Sequence, residues 1–250
     1  MAQWISFAHA GAYAFDAVRL AKDWTRLHRG DCEPWPADPA VQHAWALFHS
    51  GEFQKAAEAG LKAGGAGVTA ANKAACMYAT YLENSEKSRL ELLMQVALRA
   101  QAQQAAEPEN ANAWYWQAYA LSRYSQGISV AKALAQGLGV KIKTALEQTL
   151  RLAPQHADAH MTLAAFHADV IDKVGLLIGA MTYGVKKDTG LAHFKEALRL
   201  NPDSAIVMTE YAHGMLMLEG EARMDEADEL YEQACACEPL RSEEHTSELQ

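Results

Sequence analysis

Five side chains able to hold a metal lie close together in this sequence: His156, Asp158, His160, His167 and Asp169. Imidazole and carboxylate groups suit zinc or nickel, and His160 and His167, seven residues apart, would share one face of a helix. His156, however, falls in a turn, and the residues between are ordinary packing types. The set is therefore read as structural histidines, and no metal site is assigned. Cys32, Cys76, Cys235 and Cys237 form neither a disulfide ladder nor a paired C-x-x-C zinc motif, and are read as buried free thiols. No G-x-S-x-G, phosphate-binding loop, H-E-x-x-H or G-x-G-x-x-G motif is present; Gly137-Leu138-Gly139 is read as a hinge. The expectation is a protein that is not an enzyme and needs no cofactor.

A second cluster points to binding. Trp114, Tyr115, Trp116, Tyr119 and Tyr124 crowd one stretch, and Tyr115, Tyr119 and Arg123 fall at i, i+4 and i+8 on one helix face. Tyrosine and arginine are the residue types that anchor partners in interfaces. Lys132, Lys141 and Lys143 follow closely, and from Ala111 to Leu146 there is no acidic residue. Such a face suits an acidic peptide or a carboxylate terminus. The plainer alternative is a solvated helix face with lysines lying along it.

The elements that must position these residues are helices. The chain has 250 residues, half of them apolar, with sparse, clustered glycine and proline. Its abundant straight-chain residues lose little rotamer freedom in a helix, and no window shows the alternation of a half-buried strand. The formal charge of −9 makes the whole chain a poor nucleic-acid binder. Ten acidic residues and one basic one, Arg223, lie between Asp203 and Glu238, which is read as a solubilising outer face. The N-terminus does not read as a signal peptide, and the apolar run Val174 to Met181 is too short to span a bilayer. The chain is expected to be soluble and cytoplasmic.

Proline recurs at helix ends: AAEPENANAW around Pro108, LRLAPQHADAH around Pro154, LRLNPDSAIV around Pro202 and ACACEPL around Pro239. Proline stops each helix, and Asn110, Asp158 and Ser204 can cap the next. Before Pro239 come Met224, Ala227, Tyr231 and Ala234; before Pro202 come Phe194 and Ala197. These offsets, and Gly51-Glu52-Phe53 followed by Ala56, resemble the tetratricopeptide consensus. The resemblance implies an all-α solenoid of helix-turn-helix repeats, with Trp114 in the core and the face of Tyr115, Tyr119 and Arg123 lining a concave groove. The prolines are 46, 48 and 37 residues apart, against a plain period of about 34. The repeats ending at Pro154 and Pro202 therefore carry extra apolar segments, roughly 125–140 and 169–188, read as lengthened helices.

The chain divides into a leading helix and connector (1–36), a solenoid (37–240) with repeats at 37–63, 68–106, 111–153, 157–201 and 205–238, and a tail (241–250). Ala17, Leu20, Ala21, Trp24, Leu27 and His28 make one apolar stripe in the leading helix. The tail, RSEEHTSELQ, breaks the apolar period and is read as a non-native, adapter-derived addition to a truncated chain. The stretch Trp114–Met215, with WQAYALSRYSQGIS, GVKIKTALEQTLRLAP, HADAHMTLAAFHADV and HFKEALRLNPDS, resembles the tetratricopeptide-like domain of the regulator of microtubule dynamics family and its bacterial relatives. That implies an interaction scaffold with no catalytic motif to carry over. The expected function is capture of a partner protein or acidic peptide in the groove. The alternative is a small hydrophobic ligand, or self-association, on the apolar extensions.

Overall fold

The computed structural model describes residues 3–247. Every regular element among them is helical, in the order α1 (Ala17–Leu27), α2 (Pro39–His49), α3 (Phe53–Ala63), α4 (Gly67–Tyr81), α5 (Glu86–Ala106), α6 (Ala111–Gln126), α7 (Val130–Ala135) and α8 (Leu138–Leu152). Then come α9 (Ala157–Val174), α10 (Leu176–Tyr183), α11 (Lys187–Leu200), α12 (Ala205–Glu219), a 3-10 turn at Gly220–Arg223, α13 (Met224–Cys235) and α14 (Ser242–Ser247). The helices begin where local chemistry starts them. Side chains of Asp16, Asp38, Ser85, Asn110 and Ser204 accept the first free backbone N–H groups of α1, α2, α5, α6 and α12. At α9 the cap is His156, whose Nδ1 accepts from the Ala159 N–H at 3.0 Å. Asp158, the expected cap, is already inside the helix; its own N–H donates to the Gly30 carbonyl.

The chain forms two compact units. Unit 1 comprises Met1–His28, Glu33–Ser129 and Pro239–Gln250; unit 2 comprises Arg29–Cys32 and Val130–Glu238.

In unit 1, consecutive helices from α2 to α6 pack on one another. Small residues set the closest approach: a Cβ at Gly60 would sit 2.4 Å from the Gly67 carbonyl oxygen. Trp45, Phe48, Tyr78, Leu93 and Trp116 fill the core between the helices. Leu20, Trp24 and Leu27 bury the apolar stripe of α1. The segment ahead of α1 is tied down too: Trp4 stacks on Tyr78 at 4.3 Å between centroids, and the Ile5 N–H donates to the Tyr78 hydroxyl. At the other end, Ser242 donates to the Phe48 carbonyl, and His49 Nδ1 lies 2.8 Å from Glu243 Oε1.

In unit 2, α9 packs on α11 and α12, and α12 on α13, around Ala164, Phe194, Met208, Tyr211, Ala212 and Met215. The extra residues lengthen α9 to Val174. There Gly175, at φ +82°, ends the helix, and α10 follows as a separate short helix closed by Gly184 at φ +67°. Both turns need the left-handed region that glycine enters without a Cβ penalty.

Candidate partner-binding surface

Helix α6 carries the aromatic cluster. Asn110 caps it, and Trp116 fixes it in the core at 2 % exposure. Packing against both α4 and α5 buries most of its circumference, as expected for a helix apolar nearly all round. The sequence expectation put Trp114 in the core and Tyr115 and Tyr119 on an open face. Here the phase differs: Trp114 is half-buried, with its indole N–H donating to the Pro108 carbonyl at 3.1 Å, while Tyr115 and Tyr119 are 2 % and 6 % exposed.

The two tyrosine rings are 6.2 Å apart, and the Tyr119 hydroxyl lies 3.4 Å from Thr80 Oγ1 on α4. Arg123 extends this stack to the surface. Its guanidinium lies 5.3 Å from the Tyr119 ring centroid, within cation–π range, and donates to Gln126 Oε1 at 3.3 Å. A half-buried arginine held by a ring and an amide loses little side-chain freedom on meeting an anion. The residue that ends α6 is also fixed, since a Cβ at Gly127 would sit 2.7 Å from Leu90 Cδ2 on α5.

The three lysines belong to unit 2. Lys132, on α7, and Lys141, in the first turn of α8, are exposed. Lys143 is ion-paired with Glu147 one turn on. The six expected contact residues thus divide evenly, three in each unit.

The histidines take separate posts. His156 caps α9; His160 Nδ1 faces His193 Nδ1 at 2.7 Å; His167 Nδ1 accepts from the Lys186 N–H at 2.9 Å. Burial lowers the pKa of His167 and, with the charges of His160 and His167, holds His193 at about 4. Among the described residues, no three histidine, cysteine, aspartate or glutamate side chains converge as a metal site would require. The thiols differ from expectation: only Cys76 is buried, while Cys32 and Cys235 are exposed. Although Cys32 is exposed, partial desolvation of its thiol, then the charges of Asp31 and Asp158, push it up to about 11. No helix among the described residues is long and apolar enough to cross a membrane.

One polar group absent from the sequence reading lies inside unit 1. Arg99 Nε donates to Asn72 Oδ1 at 2.6 Å, and Gln103 Nε2 donates to Thr69 Oγ1 at 3.0 Å, joining α5 to α4. An asparagine four residues before a cysteine on an alanine-rich helix was the available signal.

No family model matches the chain, and no curated protein matches it by sequence. Solved structures match its fold. A thermophilic tetratricopeptide protein of Thermus thermophilus, TTC0263, aligns with a TM-score of 0.58 at 17 % identity, over 84 % of this chain and 98 % of that one. A monomeric mutant of IFIT1, solved with m7Gppp-AAAA, aligns at 0.45 and 16 % identity, over 89 % of this chain and 57 % of that one.

Proposed function

From the premise of a tetratricopeptide-like helical fold, we propose that this chain is an interaction scaffold that holds an acidic segment of a partner protein. The observation that carries the proposal is Arg123 laid over the Tyr119 ring at the end of α6. It offers a cation on a rigid support, with both tyrosines acting from beneath as packing rather than as exposed anchors. Charge-assisted pairing of arginine with a carboxylate supplies direction, and the preordered helices spare the entropy of folding on binding.

The test is affinity capture read by mass spectrometry, with an Arg123→Ala variant beside the parent chain. Recovered partners should carry acidic segments and should be lost with Arg123→Ala. A partner set unchanged by Arg123→Ala would refute the assignment. Tyr119→Phe is the proper companion variant, because Tyr119→Ala would open a cavity under α6.

A further inference from the structure

Helix α10 reverses the usual rule of burial. It reads Leu-Leu-Ile-Gly-Ala-Met-Thr-Tyr, and its one buried residue is Gly179. Leu177 and Met181, one turn apart, are 74 % and 81 % exposed, and Ile178 beside them is 59 % exposed. Gly179 is what seats the helix: a Cβ there would sit 2.8 Å from Val185 Cγ2 and 3.0 Å from Val170 Cγ1. The small residue faces inward and the large ones face water, so the outward apolar surface is held there by packing. At the end of α10 the Tyr183 ring rests where a Cβ of Gly139 would be, against the first turn of α8. Val140, in that turn, and Leu134, on neighbouring α7, are exposed as well. Exposed apolar side chains thus sit on three neighbouring elements of unit 2. Exposed apolar surface of this kind marks a docking face.

Charge identifies what docks. The segments 129–146 and 173–187 carry six lysines and no carboxylate, in a chain of net charge −9. Lys143 is paired with Glu147; Lys132, Lys141, Lys173, Lys186 and Lys187 are all exposed alongside the apolar residues. Asp172 and Asp188 lie just outside the second segment. From Val174 to Met181 no side chain offers a hydrogen bond, so nothing there would fix the geometry of a folded partner. A bilayer interface requires only apolar depth and a cationic rim.

We propose that α10 and its lysine-bearing neighbours form a docking face for anionic lipid membranes. Leu177, Ile178 and Met181 enter the headgroup–acyl boundary, and the lysines meet lipid phosphates and carboxylates. The attachment is peripheral, and it is independent of the partner site at Arg123.

The test is co-sedimentation of the full chain with vesicles of phosphatidylcholine containing about 30 mol% phosphatidylserine. Pure phosphatidylcholine vesicles serve as control, at about 0.1 M and about 0.5 M salt. The expected result is binding to the anionic vesicles alone, weakened at high salt. Leu177→Ser/Met181→Ser and Lys186→Glu/Lys187→Glu should each reduce it by roughly tenfold or more. These side chains are exposed, and far-UV circular dichroism of the variants should match the parent. No sedimentation with anionic vesicles, or binding indifferent to both variants, would overturn the proposal. So would a dimer in analytical ultracentrifugation that Leu177→Ser/Met181→Ser dissolves, since the face would then be covered by a second copy.

Discussion

Nδ1 of His160 and Nδ1 of His193 meet at 2.7 Å, linking α9 to α11. His160 Nε2 is 3.1 Å from the Pro154 carbonyl oxygen, which can only accept. In the neutral ring, Nε2 therefore carries the hydrogen of His160, its Nδ1 accepts, and His193 donates from Nδ1. Burial first, and then the charges of His160 and His167, lower the pKa of His193 from 6.5 to about 4. A histidine whose folded pKa lies below its unfolded value binds its proton more weakly when folded. Its contribution to stability is complete above about 6.5 and is lost as pH falls through about 4. Since the site is partly exposed, the loss is on the order of 1 kcal/mol. Thermal melts of the parent chain should drop between pH 6.5 and pH 4. His193→Gln should lose part of that slope while being less stable at neutral pH. Equal slopes in both chains would show that His193 does not titrate across this window.

Gly214 and Phe194 meet closely in the core of unit 2. A Cβ on Gly214 would stand 2.3 Å from Cε2 and Cζ of Phe194, whose ring is fully buried and stacked on Tyr211. The ring cannot withdraw. Gly214→Ala gains about 1 kcal/mol of helix propensity but costs about 1–3 kcal/mol in overpacking, so a net loss is expected. Urea unfolding should show a lower midpoint with an unchanged slope. Adding Phe194→Leu should cost less in the Gly214→Ala background than in the parent. Simple additivity would remove the contact as the cause.

The helix pairs were legible in the sequence because their signals are local. Pro108, Pro154 and Pro202 stop helices, and Asn110 and Ser204 cap the next ones through atoms three residues away. Spacing failed where the decision is tertiary. Trp114 and Trp116 are two residues apart, and only the packing of α4 and α5 on α6 decides which of them is buried. His156 rather than Asp158 caps α9; Asp158 lies in the first turn, where its free N–H finds the Gly30 carbonyl, far away in sequence. The clasp of Trp4 and Ile5 on Tyr78 spans more than seventy residues and leaves no periodic trace. The apolar character of α10 was visible; its exposure was not, because an apolar run alone reads as core.

Asn72 and Arg99 should behave as one unit. Arg99 Nε donates to Asn72 Oδ1 at 2.6 Å, with Asn72 wholly buried, and burial lowers the pKa of Arg99. Asn72→Leu would strand the guanidinium beside apolar surface and should cost about 2–4 kcal/mol. Arg99→Met should cost less, because it removes the charge. The double variant should recover much of the Asn72→Leu loss, giving a coupling energy above about 1 kcal/mol in a double-mutant cycle. A coupling near zero would mean the bond contributes nothing net.

The segment after Leu240 offers the plainest test of what belongs to the fold. Arg241 donates to the Leu27 carbonyl, Ser242 donates to the Phe48 carbonyl, and Glu243 meets His49, with Ser242 and Glu243 both buried. Phe48 and His49 are wholly buried with α14 in place. Ending the chain at Leu240 removes those contacts and wets two core residues, so a loss of about 1–3 kcal/mol is expected. For a chain of this size that is a fall of several degrees in Tm. Glu243→Gln alone should reproduce part of it, since a neutral amide still accepts from His49 but no longer pairs with the Arg241 guanidinium. If the chain ending at Leu240 melts at the parent temperature, α14 adds nothing to unit 1.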